Sequence, residues 1–444
     1  MSRIKKAVCK ILEGRSDANF CSNTNSTSSD MRCELIICWS KDDGRPAKDR
    51  PIFCPMSRAF AGQATQTTRG FARRAMPWAH RWICLILLCL SGAPIAFGAQ
   101  EQTPRIIAPD DAHIAYSDYV HMELVPSPLD TSAKVARFDR LLDHPAKGYR
   151  WDNPGARIRF RTDATSVKAL LYFNELHIST SARNSNGLYL IDGAGRPQWT
   201  FHTKATQPKR EPESVVVTMA AGGAAGFHDY ELILPYGDSV DFQGVEVNAG
   251  ARFEAPPART ATRYLAYGDS ITHGFTASAV DKSYAFLVAQ KNGWQIINLG
   301  LGGRASTPSD GKVVASLKAD VISVFMGAND WQGGAPLTRY RSNMMAFLDA
   351  IRAAQPTVPI YCLTSLWVAP SWNPKAQVAD LESYRQVARD IVAARQDPNL
   401  HLVEGPDLID HDITLFDATP VHPNDKGFAQ MGERLAARMR PPSK

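Results

Sequence analysis

Tyr264-Leu-Ala-Tyr-Gly-Asp-Ser-Ile-Thr-His-Gly274 is the stretch whose reading decides the fold. Its apolar start, Tyr264 to Tyr267, has the length and character of a buried strand. Gly268-Asp269-Ser270 interrupts the run, and a helical pattern takes over around Ser283 to Gln290. A serine on a tight turn between strand and helix faces the crevice outside the carboxyl ends of the strands. Nearby backbone N–H groups can stabilise a developing negative charge there. Gly-Asp-Ser alone is equally compatible with an ordinary turn, so the decision lies further along the chain.

Downstream, strand and helix alternate. Gln295 to Asn298, Val321 to Met326, Pro359 to Leu363 and His401 to Val403 are short apolar runs. Helical stretches cover Leu337 to Gln355, about Lys375 to Arg395, and Asn424 to Met439. This alternation predicts a doubly wound parallel sheet wrapped by helices, with a site at the strands' C-terminal edge. Three further stretches belong at that edge. Asn298-Leu-Gly-Leu-Gly-Gly303 brings glycines whose backbone can approach a ligand closely, and Gly327-Ala-Asn329-Asp330 brings a side-chain amide. Val421-His422-Pro-Asn-Asp-Lys-Gly427 precedes the last helix and supplies an imidazole, the usual general base.

With these four blocks quoted, residues 262–444 resemble the SGNH (GDSL-type) hydrolase family, whose flavodoxin-like α/β fold is then expected. The resemblance implies that Ser270 is the nucleophile and that His422 takes its proton. It also implies an oxyanion hole formed by the N–H of Ser270, the N–H of Gly303 and the amide of Asn329. One position departs from the pattern. The family commonly places an acidic residue three before the histidine, and here that residue is Thr419; Asp417 lies five before. Two alternatives follow: a longer loop lets Asp417 reach the imidazole, or a backbone carbonyl orients His422 in a Ser–His pair. Asp417 is the expectation carried forward, because a carboxylate stabilises the imidazolium formed during acylation.

Upstream, residues 100–255 have β texture. Ala156-Arg-Ile-Arg-Phe-Arg-Thr162 alternates, Ser166 to Phe173 does so in part, and Leu188 to Phe201 reads as a hairpin. Ser214 to Thr218 and Tyr230 to Leu234 add strands, so an antiparallel β-sandwich of jelly-roll type is expected. Residues 256–261, in the Pro-rich segment Phe253 to Thr260, read as its linker to the hydrolase domain. Two-domain members of the same family resemble this layout, which implies acyl or acetyl esters as substrates, including esters on carbohydrates.

Residues 76–99 have the design of a secretory signal: a short basic flank, the apolar core Ile83 to Leu90, then small residues. The core is too short for a comfortable membrane span. A secreted or periplasmic protein with no stable membrane association after cleavage is therefore expected. Residues 1–75 then read as an unstructured or non-native upstream extension, with translation starting at Met76. They hold 14 Lys and Arg against 7 Asp and Glu, which leaves the rest of the chain at −1 of the total +6. A near-neutral folded region removes the main argument for a nucleic-acid partner. Seven of the 8 cysteines precede residue 100, and none of the spacings is that of a zinc site, so no metal and no cofactor are expected.

Several residues carry two readings. Asp269 and Asp330 read as turn-capping groups before anything catalytic. His273 is either at the pocket entrance or in a solvated loop, and Trp331 and Trp367 either wall an acyl pocket or simply pack. Trp151, Trp199 and Phe201 are sandwich core or a sugar platform. Cys362, inside a strand, reads as a small buried hydrophobe. The function expected is a serine ester hydrolase acting on small-molecule or polysaccharide esters. The alternatives are a glycan-binding protein with a weak hydrolase domain, and a longer-chain lipase or thioesterase.

Overall fold

The computed structural model describes residues 103–142, 150–174, 186–195, 212–219, 226–372, 374 and 378–439. The readings of residues 1–75 and 76–99, and of Trp199 and Phe201, fall outside them.

Eleven strands come first: β1 (Arg105–Ile107), β2 (Ala115–Ser117), β3 (His121–Pro126), β4 (Lys134–Asp139), β5 (Arg157–Thr162), β6 (Val167–Phe173), β7 (Leu188–Ile191), β8 (Glu213–Thr218), β9 (His228–Ile233), β10 (Val240–Val247) and β11 (Phe253–Glu254). They form two antiparallel sheets. One runs β3-β4-β10-β6-β8 with β1 paired to β10; the other runs β11-β5-β9-β7 with β2 paired to β5. Alternation explains the layering. In β6, Val167, Ala169, Leu171 and Phe173 are buried while the residues between them are not. They meet Ile158, Phe160 and Leu232 of the facing sheet in one apolar core. This is the expected sandwich. Its last strand, β11, takes up the start of the Pro-rich segment by pairing with Arg161 and Thr162.

The second unit contains β12 (Arg263–Gly268), α1 (Ser270–His273), α2 (Tyr284–Asn292), β13 (Gln295–Gly300), α3 (Ser309–Ser316), β14 (Val321–Phe325), α4 (Ala328–Gln332), α5 (Leu337–Ala354), β15 (Ile360–Leu363), α6 (Leu381–Arg395), β16 (Leu400–Val403) and α7 (Asp425–Arg438). All its strand pairs are parallel, in the order β13-β12-β14-β15-β16. That is the flavodoxin-like order, with its switch point beside the first strand. Each face of the sheet is covered. Leu265, Tyr267 and Val324 pack with Tyr340 and Phe347 of α5 and Tyr384 of α6. Tyr264, Ala266 and Phe325 pack with Tyr284 of α2 and Met431 and Leu435 of α7. Burial on both faces is why these strands read as unbroken apolar runs.

Two short helices, α3 and α4, lie where the sequence reading had loops; neither spans enough turns to show a period. Of the helical stretch read to Arg395, the helix begins at Leu381, where the Asp380 side chain caps it by accepting from Ser383 N–H.

Polar contacts join the two units. Asp118 accepts from the Ile296 N–H at 2.7 Å, and the buried Arg140 donates to the Gly300 carbonyl. His273, fully buried, faces Asp152 at 3.3 Å. Neither sequence reading of His273, pocket entrance or solvated loop, describes it.

Candidate active site

Ser270 opens α1 immediately after β12. Asp269 caps that helix, its carboxylate accepting the Ile271 N–H at 3.0 Å. The end of β13 lies so close that a Cβ on Gly300 would run into the backbone of Thr272 and His273. Only glycine fits there, and its Cα seats the turn that presents Ser270.

The imidazole comes from the loop before α7. Asn424 shapes that loop: its carbonyl caps α7 through Lys426 and Gly427, and its amide donates to the carbonyls of Thr414 and Phe416. Thr276 ties the loop to the serine's side by donating to the Pro423 carbonyl at 2.7 Å. The result brings Ser270 Oγ within 2.8 Å of His422 Nε2, with Phe275 packed on the imidazole at 4.8 Å between ring centres.

The expectation for Asp417 is corrected. Thr419, not Asp417, meets the other ring nitrogen: its Oγ1 lies 2.9 Å from Nδ1. The reason is local. The loop closes with the Asp417 N–H on the His422 carbonyl at 2.9 Å, so the two residues meet through their backbones. The tight turn between them carries the Thr419 hydroxyl under the ring. A backbone carbonyl, the other alternative, does not fill this place either. Asp417 acts only through space. Burial pushes the His422 pKa down to about 4, and the negative charge of Asp417 works against that shift.

Asn329 lies in the first turn of α4, half-buried, and its amide donates to Asp269 Oδ2 at 3.2 Å. An amide nitrogen has two protons, so one remains for a ligand. Asp330 holds the neighbouring loop by accepting from Ser306 N–H at 2.9 Å and from Ser306 Oγ at 2.6 Å. These two carboxylates therefore cap and stitch, as their sequence reading held, and they also fix the elements that carry Asn329 and Gly303. Burial, reinforced by the Asp330 charge, pushes the Asp269 pKa up to about 7.

Ser270, Asn329 and His422 line one small cavity of about 20 Å³, walled by Ile271, Ala328, Trp331, Leu366, Val368 and Val421. Trp331 thus belongs to the site. Trp367 stacks on His411, meets Phe416 at a tilt and is not in this lining. Gly303 is not in it either. It sits exposed on the adjoining loop in the left-handed region (φ +74°), and that loop is anchored by the Leu301 N–H on the Gly268 carbonyl and by the buried Arg304–Asp310 pair. Cys362 is buried in β15 with its thiol pushed up to about 12 by burial. Among the described residues no group of three or more His, Cys, Asp or Glu could hold a metal ion. Two residues at the imidazole have no role in the sequence reading: Phe275, and Thr419, which enters there only as the position lacking the usual acid.

A parallel sheet of this order, carrying serine, imidazole and amide at its C-terminal edge, defines an SGNH-type α/β hydrolase fold. Residues 266–430 match the model of the GDSL-like lipase/acylhydrolase family. No curated protein matches the chain. Among solved structures, it is similar to a salicylyl-acyltransferase, SsfX3, from a tetracycline biosynthetic pathway, at 20% identity and TM-score 0.63, covering 76% of this chain and 96% of that one. A putative GDSL-like lipase from Bacteroides ovatus matches at 17% identity and TM-score 0.55, covering 74% and 100%. An acetyl xylan esterase, Est2A, from Butyrivibrio proteoclasticus matches at 12% identity and TM-score 0.51, covering 76% and 98%. At these identities the likeness is one of fold, and it extends over sandwich and α/β unit together.

Proposed function

We propose that the protein is an acetyl esterase that works by a Ser–His mechanism, with Thr419 in the place of an acid. The observation that carries this reading is the Ser270 Oγ–His422 Nε2 hydrogen bond at the mouth of a cavity of only about 20 Å³. That volume holds about one water-sized group. It suits the methyl of an acetyl ester better than a long acyl chain. A lipase or thioesterase is correspondingly disfavoured, and the Ser–His contact weighs against a purely glycan-binding role.

His422 is the acceptor of the serine proton when Nδ1 carries the other ring proton, and Thr419 Oγ1 accepts from that Nδ1–H. With its pKa near 4 the imidazole is neutral, and so able to accept a proton, throughout the neutral range. Ser270 Oγ attacks the acetyl carbon as its proton passes to Nε2. The carbonyl oxygen becomes an oxyanion that the second Asn329 N–H and the Ser270 N–H stabilise, with Gly303 N–H as third donor. The imidazolium then gives its proton to the departing alcohol. Water, deprotonated by the same Nε2, repeats the attack on the acetyl-serine and releases acetate.

The alcohol half is proposed to be a carbohydrate, a reading supported by the shared fold of the xylan esterase. Export before action is proposed from the signal-like residues 76–99. The test is a panel of 4-nitrophenyl esters and acetylated xylo-oligosaccharides, comparing acetyl with octanoyl. Acetyl-selective turnover that disappears in Ser270→Ala supports the reading; preference for octanoate, or activity that survives Ser270→Ala, refutes it.

A further inference from the structure

A second cleft lies at the opposite edge of the parallel sheet. It encloses about 480 Å³ between sandwich and α/β unit, and the first residues of β12 and β13, Arg263 and Gln295, line it together with Arg159, Tyr116, Tyr119 and Pro257. Its volume is that of an ordinary small-molecule site.

The charges around it do not balance. β5 presents Arg157, Arg159 and Arg161 along one face of the strand, and β9 opposes them with Asp229 and Glu231. Register places Glu231 directly across from Arg159. Cross-strand neighbours of opposite charge ordinarily pair. Here the Glu231 carboxylate is drawn away, to Arg157 and to Arg259. Asp118 is likewise shared between Arg157 at 3.0 Å and Arg259 at 3.4 Å, and Arg161 takes Asp229 at 3.2 Å. Arg159 is left with the Pro257 carbonyl at 2.7 Å and forms no ion pair among the described residues. Arg263 forms none either: its backbone N–H, not its guanidinium, meets Asp320. Two half-buried guanidiniums that form no ion pair among the described residues therefore face one cavity between tyrosine rings and prolines. Burial holds the Arg159 guanidinium below the ordinary arginine range; Glu231 and Asp229 act against that shift, and Arg259 and Arg157 act with it.

We propose that this cleft is a binding site for an oxyanionic group, phosphate, sulfate or a sugar carboxylate, held by Arg159 and Arg263. Guanidinium forks match the planar or tetrahedral oxygens of such groups, and the tyrosine and proline walls suit a sugar ring carrying one. The site is separate from Ser270, since it opens at the N-terminal ends of the strands whose C-terminal ends bear the serine.

Calorimetric titration of the full chain with inorganic phosphate, sulfate and glucuronate tests it, with chloride at matched ionic strength as reference. Saturable binding of one or more probes is expected. Arg159→Gln/Arg263→Gln should weaken it by roughly tenfold or more, hydrogen bonds to charged groups being the strong class. Arg161→Gln, altered on the same strand at an already paired arginine, should bind as wild type does. Phosphate and sulfate binding without glucuronate binding would identify a free tetrahedral anion, and the converse an anionic sugar. Absence of binding by all three probes, or undiminished binding by the double variant, overturns the proposal. If the double variant does not fold, Arg263→Gln alone, at a half-exposed position, carries the same comparison.

Discussion

Replacing Thr419 with valine keeps the shape of the side chain and removes the acceptor from His422 Nδ1. In the resting site the lost contact is a neutral hydrogen bond worth about 0.5–1.5 kcal/mol. During acylation the ring becomes an imidazolium, and the same contact then belongs to the charged class, about 1.5–3 kcal/mol. Thr419 is exposed, so water can take over part of its role. The lower end applies, about 1.5 kcal/mol, and kcat/KM should fall roughly tenfold at 1.36 kcal/mol per decade. The loss belongs in kcat, because Thr419 lies outside the lining of the acyl cavity. A buried carboxylate in the orienting role behaves differently: its conversion to an amide costs about 10⁴ in kcat. Asp417→Asn, which here removes only a charge acting through space, should therefore cost less than about tenfold. Initial rates on 4-nitrophenyl acetate compare the two variants directly. A Thr419→Val enzyme within twofold of wild type, joined to an Asp417→Asn enzyme about 10⁴ slower, would refute the assignment of Nδ1 to Thr419. Thr419→Asp completes the set. It places a carboxylate where Nδ1–H points, and should preserve or raise kcat.

The remaining expectations concern the same cavity. The rate on acetyl esters should fall as pH drops through about 4, not through the ordinary histidine value, because a protonated His422 cannot accept the serine proton; a kcat/KM–pH profile measures this, and Thr419→Asp should move the acid limb upward. Asn329→Ala should lower kcat by about 10²–10³, the usual loss for one oxyanion donor, with KM little changed. Val368→Ala should enlarge the cavity and raise the butyryl-to-acetyl ratio about tenfold or more, in line with 1–3 kcal/mol per accommodated methylene. Asp269 has a folded pKa near 7, above its unfolded value, so its contribution to stability falls as pH rises from the ordinary carboxylate range through about 7. Thermal melts should show Asp269→Asn gaining on wild type across that interval, while its kcat drops because Asn329 loses its anchor.

Much of this protein was legible in the chain. Short, largely apolar runs such as Val321 to Phe325 fit a strand buried on both faces, and their alternation with helical periods pointed to the doubly wound sheet. Alternation with period two in Val167 to Phe173 likewise dictated a sheet buried on one face, hence the sandwich. Ser270, Asn329 and His422 could be named because the four blocks that carry them resemble those of the SGNH hydrolase family and fall at strand ends, where such folds carry their sites. Helices α3 and α4 were not legible, being too short to show a period.

What only the tertiary structure decided is which side chain stands against which. The sequence leaves Asp417 and a backbone carbonyl as the alternatives beside His422, with Thr419 only marking the position where the usual acid is missing. The hydrogen-bonded closure of their loop then chose the threonine, by pairing Asp417 with His422 through the backbone. The size of the cavity beside Ser270 depends on Trp331, Leu366 and Val368 arriving from two different strand ends. The fate of Glu231 shows the same limit: register alone assigns it to Arg159, while Asp118 and Arg259, distant in sequence, bring about a different pairing. Periodicity encodes the direction each residue faces, a local property of the backbone. Distances between loops are set by how whole layers pack, and no local pattern carries them.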